Sequence, residues 1–167
     1  MRNMLIAQSG GPTAAINASL SGAIQEAIRS GEIGQVYGAL NGIQGVVAGT
    51  IVDLKAQFKT QEDFSVLECT PAMALGSCRF RLPDPDKGKE IYDAIEAVFD
   101  KYDIGYFFYI GGNDSMDTVD KLSKYFAVKG KDVKVIGIPK TIDNDLPGSD
   151  HSPGFGSSAK FIATAMQ

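Results

Sequence analysis

The sequence predicts an α/β domain built on a parallel sheet with helices on both faces, a Rossmann-like arrangement. Three observations carry this. Short apolar runs rich in β-branched residues alternate along the 167 residues with longer segments of helical periodicity. The run Tyr106-Phe107-Phe108-Tyr109-Ile110 is apolar throughout, as expected of a strand covered on both faces. The 19 glycines gather largely at the ends of apolar runs, where strands must turn sharply into helices. Connections in such sheets are right-handed, and ligands bind outside the C-terminal strand ends. Function is therefore sought in the strand-to-helix loops.

Taken in order, Met4-Leu5-Ile6-Ala7 reads as the first strand and Ser9-Gly10-Gly11-Pro12-Thr13 as a glycine turn after it. Ile16, Leu20, Ile24 and Ile28 then repeat every four residues, Ala23 and Ala27 fill the same stripe, and Ser30-Gly31 ends the helix. Val36 to Leu40 reads as a second strand, followed by a glycine-rich turn at Asn41-Gly42-Ile43-Gln44-Gly45. The stretch up to about residue 60 shows no clear period, and Thr60-Gln61-Glu62-Asp63 looks like a helix start. After Pro71, a loop carries Arg79 and Arg81. Ile91, Ala94, Ile95, Val98 and Phe99 give a helix between Lys87 and Tyr102, the strand at 106–110 ends in Gly111-Gly112-Asn113-Asp114-Ser115, and Met116, Val119, Leu122 and Phe126 mark the inward face of the next helix, which ends near Lys129-Gly130. Val133 to Ile138 has the composition of a buried strand. It leads into Pro139-Lys140-Thr141-Ile142-Asp143-Asn144-Asp145, which Pro139 and Pro147-Gly148 keep from becoming helix. Gly154-Phe155-Gly156-Ser157-Ser158-Ala159 imitates a GxGxxA dinucleotide fingerprint, but a Pro/Asp/Gly loop stands where the required strand should precede it.

Composition narrows the function classes. With 44% apolar residues, 22% charged residues and no apolar span long enough to cross a bilayer, the chain reads as one soluble domain. No secretory signal precedes the first strand, so a cytoplasmic location is expected. A net charge of −4 gives no general attraction to nucleic acid or to anionic membranes. Cys69 and Cys78 lack metal-ligand spacing and read as reduced structural thiols, and the lone His151 sits in a polar loop.

Four loops carry groups suited to phosphate chemistry. Gly10-Gly11 offers free backbone N–H groups at a helix start, although GxxxxGK[ST] appears nowhere. Arg79 offers a planar fork of donors. Asp114 is a helix-cap residue by type and equally an oxygen ligand for Mg²⁺. Lys140 to Asp145 supplies an ammonium, a hydroxyl, an amide and two carboxylates; alone, it also reads as an Asx-rich surface turn. Converging at strand ends, these loops provide anion-binding backbone, cations, metal-capable carboxylates and a base, the requirements of phosphoryl transfer to a hydroxyl.

In this order, Gly10-Gly11, Leu75-Gly76-Ser77-x-Arg79-Phe80, Gly111-Gly112-Asn113-Asp114-Ser115 and Pro139-Lys140-Thr141-Ile142-Asp143-Asn144-Asp145 resemble the phosphofructokinase family, across residues 9 to 145. The resemblance implies the N-terminal part of a phosphofructokinase fold, a glycolytic kinase transferring a phosphoryl group to the 1-hydroxyl of fructose 6-phosphate with Mg²⁺. By motif, Asp143 resembles the general base, Thr141 a transition-state hydrogen-bond donor and Asp145 a neighbouring carboxylate near sugar and metal. Thr141, Asp143 and Asp145 would face fructose 6-phosphate, while Gly11, Arg79 and Lys140 would face the donor. ATP-using relatives resemble GGDGS and PGTIDND at the last two motifs; Asp114 and Lys140 here look like the signature of pyrophosphate use. Asp114 adds bulk and negative charge where the α-phosphate of ATP would lie, and Lys140 offers a cation to a short, dense anion.

Two departures from the family pattern matter. Asn113 replaces a carboxylate that many relatives use for Mg²⁺, leaving Asp114, Asp143 or pyrophosphate itself to supply charge. Family members are also much longer, with most sugar-phosphate residues beyond position 167, and they assemble as dimers or tetramers. Residues 1–167 are therefore expected to form a donor-binding region lacking the sugar-binding part, with weak pyrophosphate binding and poor turnover by itself. A noncatalytic phosphate-binding or assembly domain and an ATP-dependent kinase with unusual donor loops are the alternative readings.

Overall fold

A computed structural model describes all residues from Met1 to Gln167. Five strands form a single sheet in the order β3-β2-β1-β4-β5. Strand β1 (Asn3–Gln8) lies at the centre, parallel to β2 (Val36–Ala39) on one side and to β4 (Ile104–Gly111) on the other, and β5 (Lys134–Pro139) extends the parallel set beyond β4. The outer strand β3 (Ile51–Asp53) runs antiparallel to β2, so the sheet is mixed rather than wholly parallel. Only a short helix joins β2 to β3, and so short a connection returns the chain without the long crossover that a parallel neighbour needs.

Alternating residues of the strands feed two apolar layers. Leu5, Ala7, Phe107 and Tyr109 pack beneath α2 (Gly42–Ala48), α5 (Lys89–Lys101) and α6 (Asn113–Val128). Met4, Ile6 and Ile110 pack beneath α1 (Ala14–Ser30), α3 (Leu54–Gln57) and α4 (Gln61–Cys69). The strand period of two thus sends consecutive side chains to opposite faces, and helices cover both.

Helix ends follow local chemistry. Helix α1 buries Ile16, Leu20 and Ile24 and stops at Gly31, whose φ of 67° is the left-handed conformation a glycine cap provides. Ile28, assigned to the same stripe, is 43% exposed instead, because Ala27 takes the inward position at the end of the helix. Thr60 and Asp63 form a complete capping box at the start of α4.

Two further sequence expectations fail. The stretch from Gly42 is the helix α2 and not a turn. It is held by packing: a Cβ on Gly45 would lie 1.6 Å from the Leu40 carbonyl oxygen, so close approach rather than flexibility explains that glycine. Strand β5, expected to be buried, is an edge strand with Ile136 40% exposed. Beyond it, α7 (Phe155–Ala165) has no buried residue.

Candidate active site

The C-terminal ends of the adjacent strands β1, β4 and β5 bring three of the four predicted loops together. Gly10, with φ of 85°, packs so tightly against the loop after β4 that a Cβ there would lie 3.2 Å from the Gly112 nitrogen. The backbone of Lys140 extends the β4–β5 ladder, donating to the Gly111 carbonyl at 2.9 Å. The fourth loop closes the opposite wall, where Ser77 donates to the Gly10 carbonyl at 3.0 Å and Ser9 to the Cys78 carbonyl at 3.0 Å.

The result is an open, polar cleft of about 930 Å³. Its walls include Gly11, Arg79, Arg81, Asn113 and Asp114. Two helices start at its rim, α1 at Ala14 and α6 at Asn113, so their free N–H groups and positive dipole ends lie beside it. Asp114 sits in the first turn of α6, whereas Gly112 holds the cap position, so Asp114 is not the cap. Thr13, at the cap of α1, has a buried hydroxyl with no partner in the chain, as has Ser152.

Lys140 is the best-defined of the predicted side chains. It is 7% exposed, and its Nζ donates to the Gly11 carbonyl at 2.7 Å. Its stem runs past Gly154, where a Cβ would approach Lys140 Cγ to 3.1 Å. Burial lowers its pKa below the ordinary lysine value, and the charge of Asp143 opposes that shift. An ammonium is thus held in a buried, glycine-lined place beside the turn after β1.

The remaining predicted residues divide. Thr141 is buried, donates its amide to the Pro153 carbonyl at 2.9 Å and pairs with Gly154 as an isolated parallel bridge. Its hydroxyl oxygen accepts from the Asp143 amide at 3.1 Å, leaving the hydroxyl proton available. Asp143 and Asp145 are exposed and, like Lys140 and Thr141, lie outside the cleft lining, on the segment that leaves it. Asn144, with φ of 56°, closes its own loop through Ser152 N–H at 2.8 Å and the Asp150 carbonyl at 3.1 Å. These bonds reach six and eight positions on, so Asn144 closes a longer loop and not the local Asx turn expected of it.

The sequence motifs contain Ser9, Ser77 and Gly112 without giving them individual roles, and sequence reasoning missed Gly154 as part of the site. Gly154 was visible only as a false dinucleotide fingerprint; its signal is a left-handed φ of 101° at the start of α7, pressed against Lys140. No group of three or more acidic, histidine or cysteine side chains able to hold a metal ion forms anywhere in the chain. No helix is long and apolar enough to cross a membrane.

Residues 3–167 match the phosphofructokinase family. This chain belongs to that family. It is 46% identical over 164 residues to the pyrophosphate–fructose 6-phosphate 1-phosphotransferase of Halomonas elongata, covering 98% of this chain and 39% of the relative. Identity to the Methylococcus capsulatus protein of the same name is 43% over 167 residues, with 99% and 39% covered. The crystal structure of a pyrophosphate-dependent phosphofructokinase from Nitrosospira multiformis superposes with a TM-score of 0.88 at 44% identity, over 98% of this chain and 40% of that one. This phosphofructokinase chain thus spans about two fifths of the length of the relatives it matches.

Proposed function

We propose that the chain carries the donor side of a pyrophosphate-dependent 6-phosphofructokinase, which transfers a phosphoryl group from pyrophosphate to the 1-hydroxyl of fructose 6-phosphate. One observation carries the choice of donor: the buried Lys140 ammonium on the carbonyl of Gly11, behind the glycine turn of a cleft whose lining includes Asp114. A compact anion of high charge density repays the desolvation of an ammonium, whereas the α-phosphate of a nucleotide would meet the Asp114 carboxylate. The names of the relatives agree with this reading.

In the proposed reaction, the N–H groups after Gly11, Arg79 and Lys140 hold pyrophosphate and receive the charge that develops on its leaving half. Asp143 takes the proton of the sugar 1-hydroxyl. The sugar oxygen bonds to the near phosphorus, the bridging P–O bond breaks and inorganic phosphate departs. Thr141, with its hydroxyl proton free, donates to the transferred group, and Asp145 lies beside the sugar. Exposure of Asp143 and Asp145 fits a sugar approaching from outside the cleft. Mg²⁺ is commonly held by one or two carboxylates together with phosphate oxygens and water. Asp114 and the Asn113 amide oxygen are the residues that would hold it here, and it would neutralise phosphate charge. The setting proposed is cytoplasmic glycolysis, in a homo-oligomer of the longer enzyme.

Calorimetric titration of the 167-residue chain with pyrophosphate and with ATP, in Mg²⁺, tests the donor. Pyrophosphate binding is expected to exceed ATP binding at least tenfold, and Asp114→Gly with Lys140→Gly to reverse the order. Equal or stronger ATP binding by the unaltered chain would sink the proposal. A fructose 6-phosphate turnover assay of the longer enzyme separates a catalytic role from a merely phosphate-binding one.

A further inference from the structure

Residues 70 to 83 belong to no helix or strand, yet they carry Arg79 into the donor cleft. Something other than a backbone ladder must fix them. Two buried amides do so. Gln8 and Asn17 are each 0% exposed, and the Gln8 Nε2 donates to Asn17 Oδ1 at 3.2 Å and to the Ile16 carbonyl at 3.3 Å. The Gln8 Oε1 accepts from Leu75 N–H at 2.8 Å. Asn17 Oδ1 accepts from Ala74 N–H at 3.0 Å, and its Nδ2 donates to the Thr70 and Pro71 carbonyls at 3.0 and 3.3 Å. Both amides are thereby satisfied at each end, as buried amides must be.

Three consecutive residues at the tip of β1 then grip the same segment in turn. Gln8 holds Leu75 through its side chain, Ser9 holds the Cys78 carbonyl at 3.0 Å, and the Gly10 carbonyl receives Ser77 Oγ at 3.0 Å. The next residue on one side is Gly11, on which Lys140 rests, and the next on the other is Arg79. The arginine is therefore registered against the glycine turn through side chains buried in the core.

We infer that Gln8 and Asn17 are positioning residues for Arg79, setting its distance from the anion-binding turn without touching the anion. The inference rests on the donor-cleft reading for what Arg79 binds, but the ordering of the loop does not. Asn17→Asp keeps the shape while replacing the donor that serves two carbonyls with a carboxylate oxygen. Gln8→Leu removes the whole bridge. Ser77→Ala, at an exposed position, loosens the same segment with no risk to the core.

The test combines amide hydrogen exchange with pyrophosphate titration on the 167-residue chain. In Asn17→Asp and in Ser77→Ala, the amides of residues 74 to 80 are expected to exchange about tenfold faster, since each lost hydrogen bond shifts a local opening by about that factor. Amides of β1 and β4 should keep their rates. Pyrophosphate affinity should fall about tenfold in Asn17→Asp, and adding Arg79→Ala to it should cost no more than Arg79→Ala alone. Unchanged loop exchange in a folded variant overturns the inference, and so do losses that simply multiply. If the unaltered chain binds no pyrophosphate, the donor reading fails on its own, and the exchange rates still decide whether the amides order the loop. Should Asn17→Asp fail to fold, Gln8→Leu carries both measurements, with Ser77→Ala as the control that loosens the segment from outside the core.

Discussion

Replacing Lys140 by methionine retains the length of the stem and removes the charge. The Lys140 Nζ donates at 2.7 Å to the Gly11 carbonyl within a residue only 7% exposed, and hydrogen bonds from an ionised donor contribute about 1.5–3 kcal/mol. Loss of that cation should weaken pyrophosphate binding about 10- to 100-fold near neutral pH. The pKa of Lys140 sharpens the prediction, since burial holds it below the unfolded value of 10.5. Between the two values the unfolded chain binds more protons, so stability rises with pH across that window; at lower pH the folded chain bears the cost of a desolvated ammonium. Lys140→Met loses both the desolvation cost and the slope, so its urea midpoint should no longer rise with pH across that window. Pyrophosphate favours the ammonium, so binding takes up a proton once the pH exceeds the pKa of Lys140 in the free chain. Isothermal titration in two buffers of different ionisation enthalpy reads this uptake directly. An affinity within twofold of the unaltered chain would refute the role of the charge, as would proton uptake that persists in the methionine variant.

Three further outcomes follow from other parts of the molecule. Asp143→Asn should leave the fold and pyrophosphate binding intact while reducing turnover with fructose 6-phosphate by about 10²–10³-fold, the usual cost of one transition-state contact; steady-state kinetics of the most active form of the chain will show it, and undiminished turnover removes Asp143 as base. Gly45→Ala forces a Cβ to within 1.6 Å of the Leu40 carbonyl oxygen, so it should destabilise the chain by about 3 kcal/mol or more in urea melts, and a loss under about 1 kcal/mol would show that α2 shifts freely. Hydrogen bonds from Lys131 and Tyr125 pull Glu96 down to about 2 from an ordinary 4.5. The stability this supplies is fully present above about pH 4.5 and is lost as the pH falls through about 2. Solvent screens this surface cluster, so Glu96→Gln should cost on the order of 1 kcal/mol at pH 7 and flatten the acid limb of the stability curve, measured by urea unfolding at several pH values.

The legible parts of the fold were those in which residue type and period agree. Strands β1, β2 and β4 and helices α1, α5 and α6 announce themselves because one face or both must be apolar. The failures have separate physical causes. Strand β3 has only three residues, too few to show a period. Helix α2 carries Gly42 and Gly45, which local propensity reads as a turn, whereas packing against Leu40, Cys78 and Tyr109 leaves no room for a Cβ and overrides that preference. The apolar run of β5 does not reveal strand order, so its place at the edge, with Ile136 partly exposed, was invisible.

The site divides along a similar line. That Gly11, Arg79 and Asp114 line one cleft, with Lys140 against Gly11, agrees with a reading made loop by loop, because the chemistry of each residue is local to its loop. What holds them together was not legible, because the contacts span the chain: Gln8 meets Leu75 across 67 positions, and Asn17 meets Ala74 across 57. One signal for them does exist in the sequence. Asn17 interrupts the apolar stripe of Ile16 and Leu20, and Gln8 ends an apolar strand; both positions are oriented inward by the periods around them. A buried amide has four hydrogen-bonding sites to fill, and its own helix or strand cannot fill them all. An inward Asn or Gln therefore requires that an irregular segment from elsewhere in the chain cross that point with its backbone groups free. In this protein that segment is the one that delivers the arginine to the cleft.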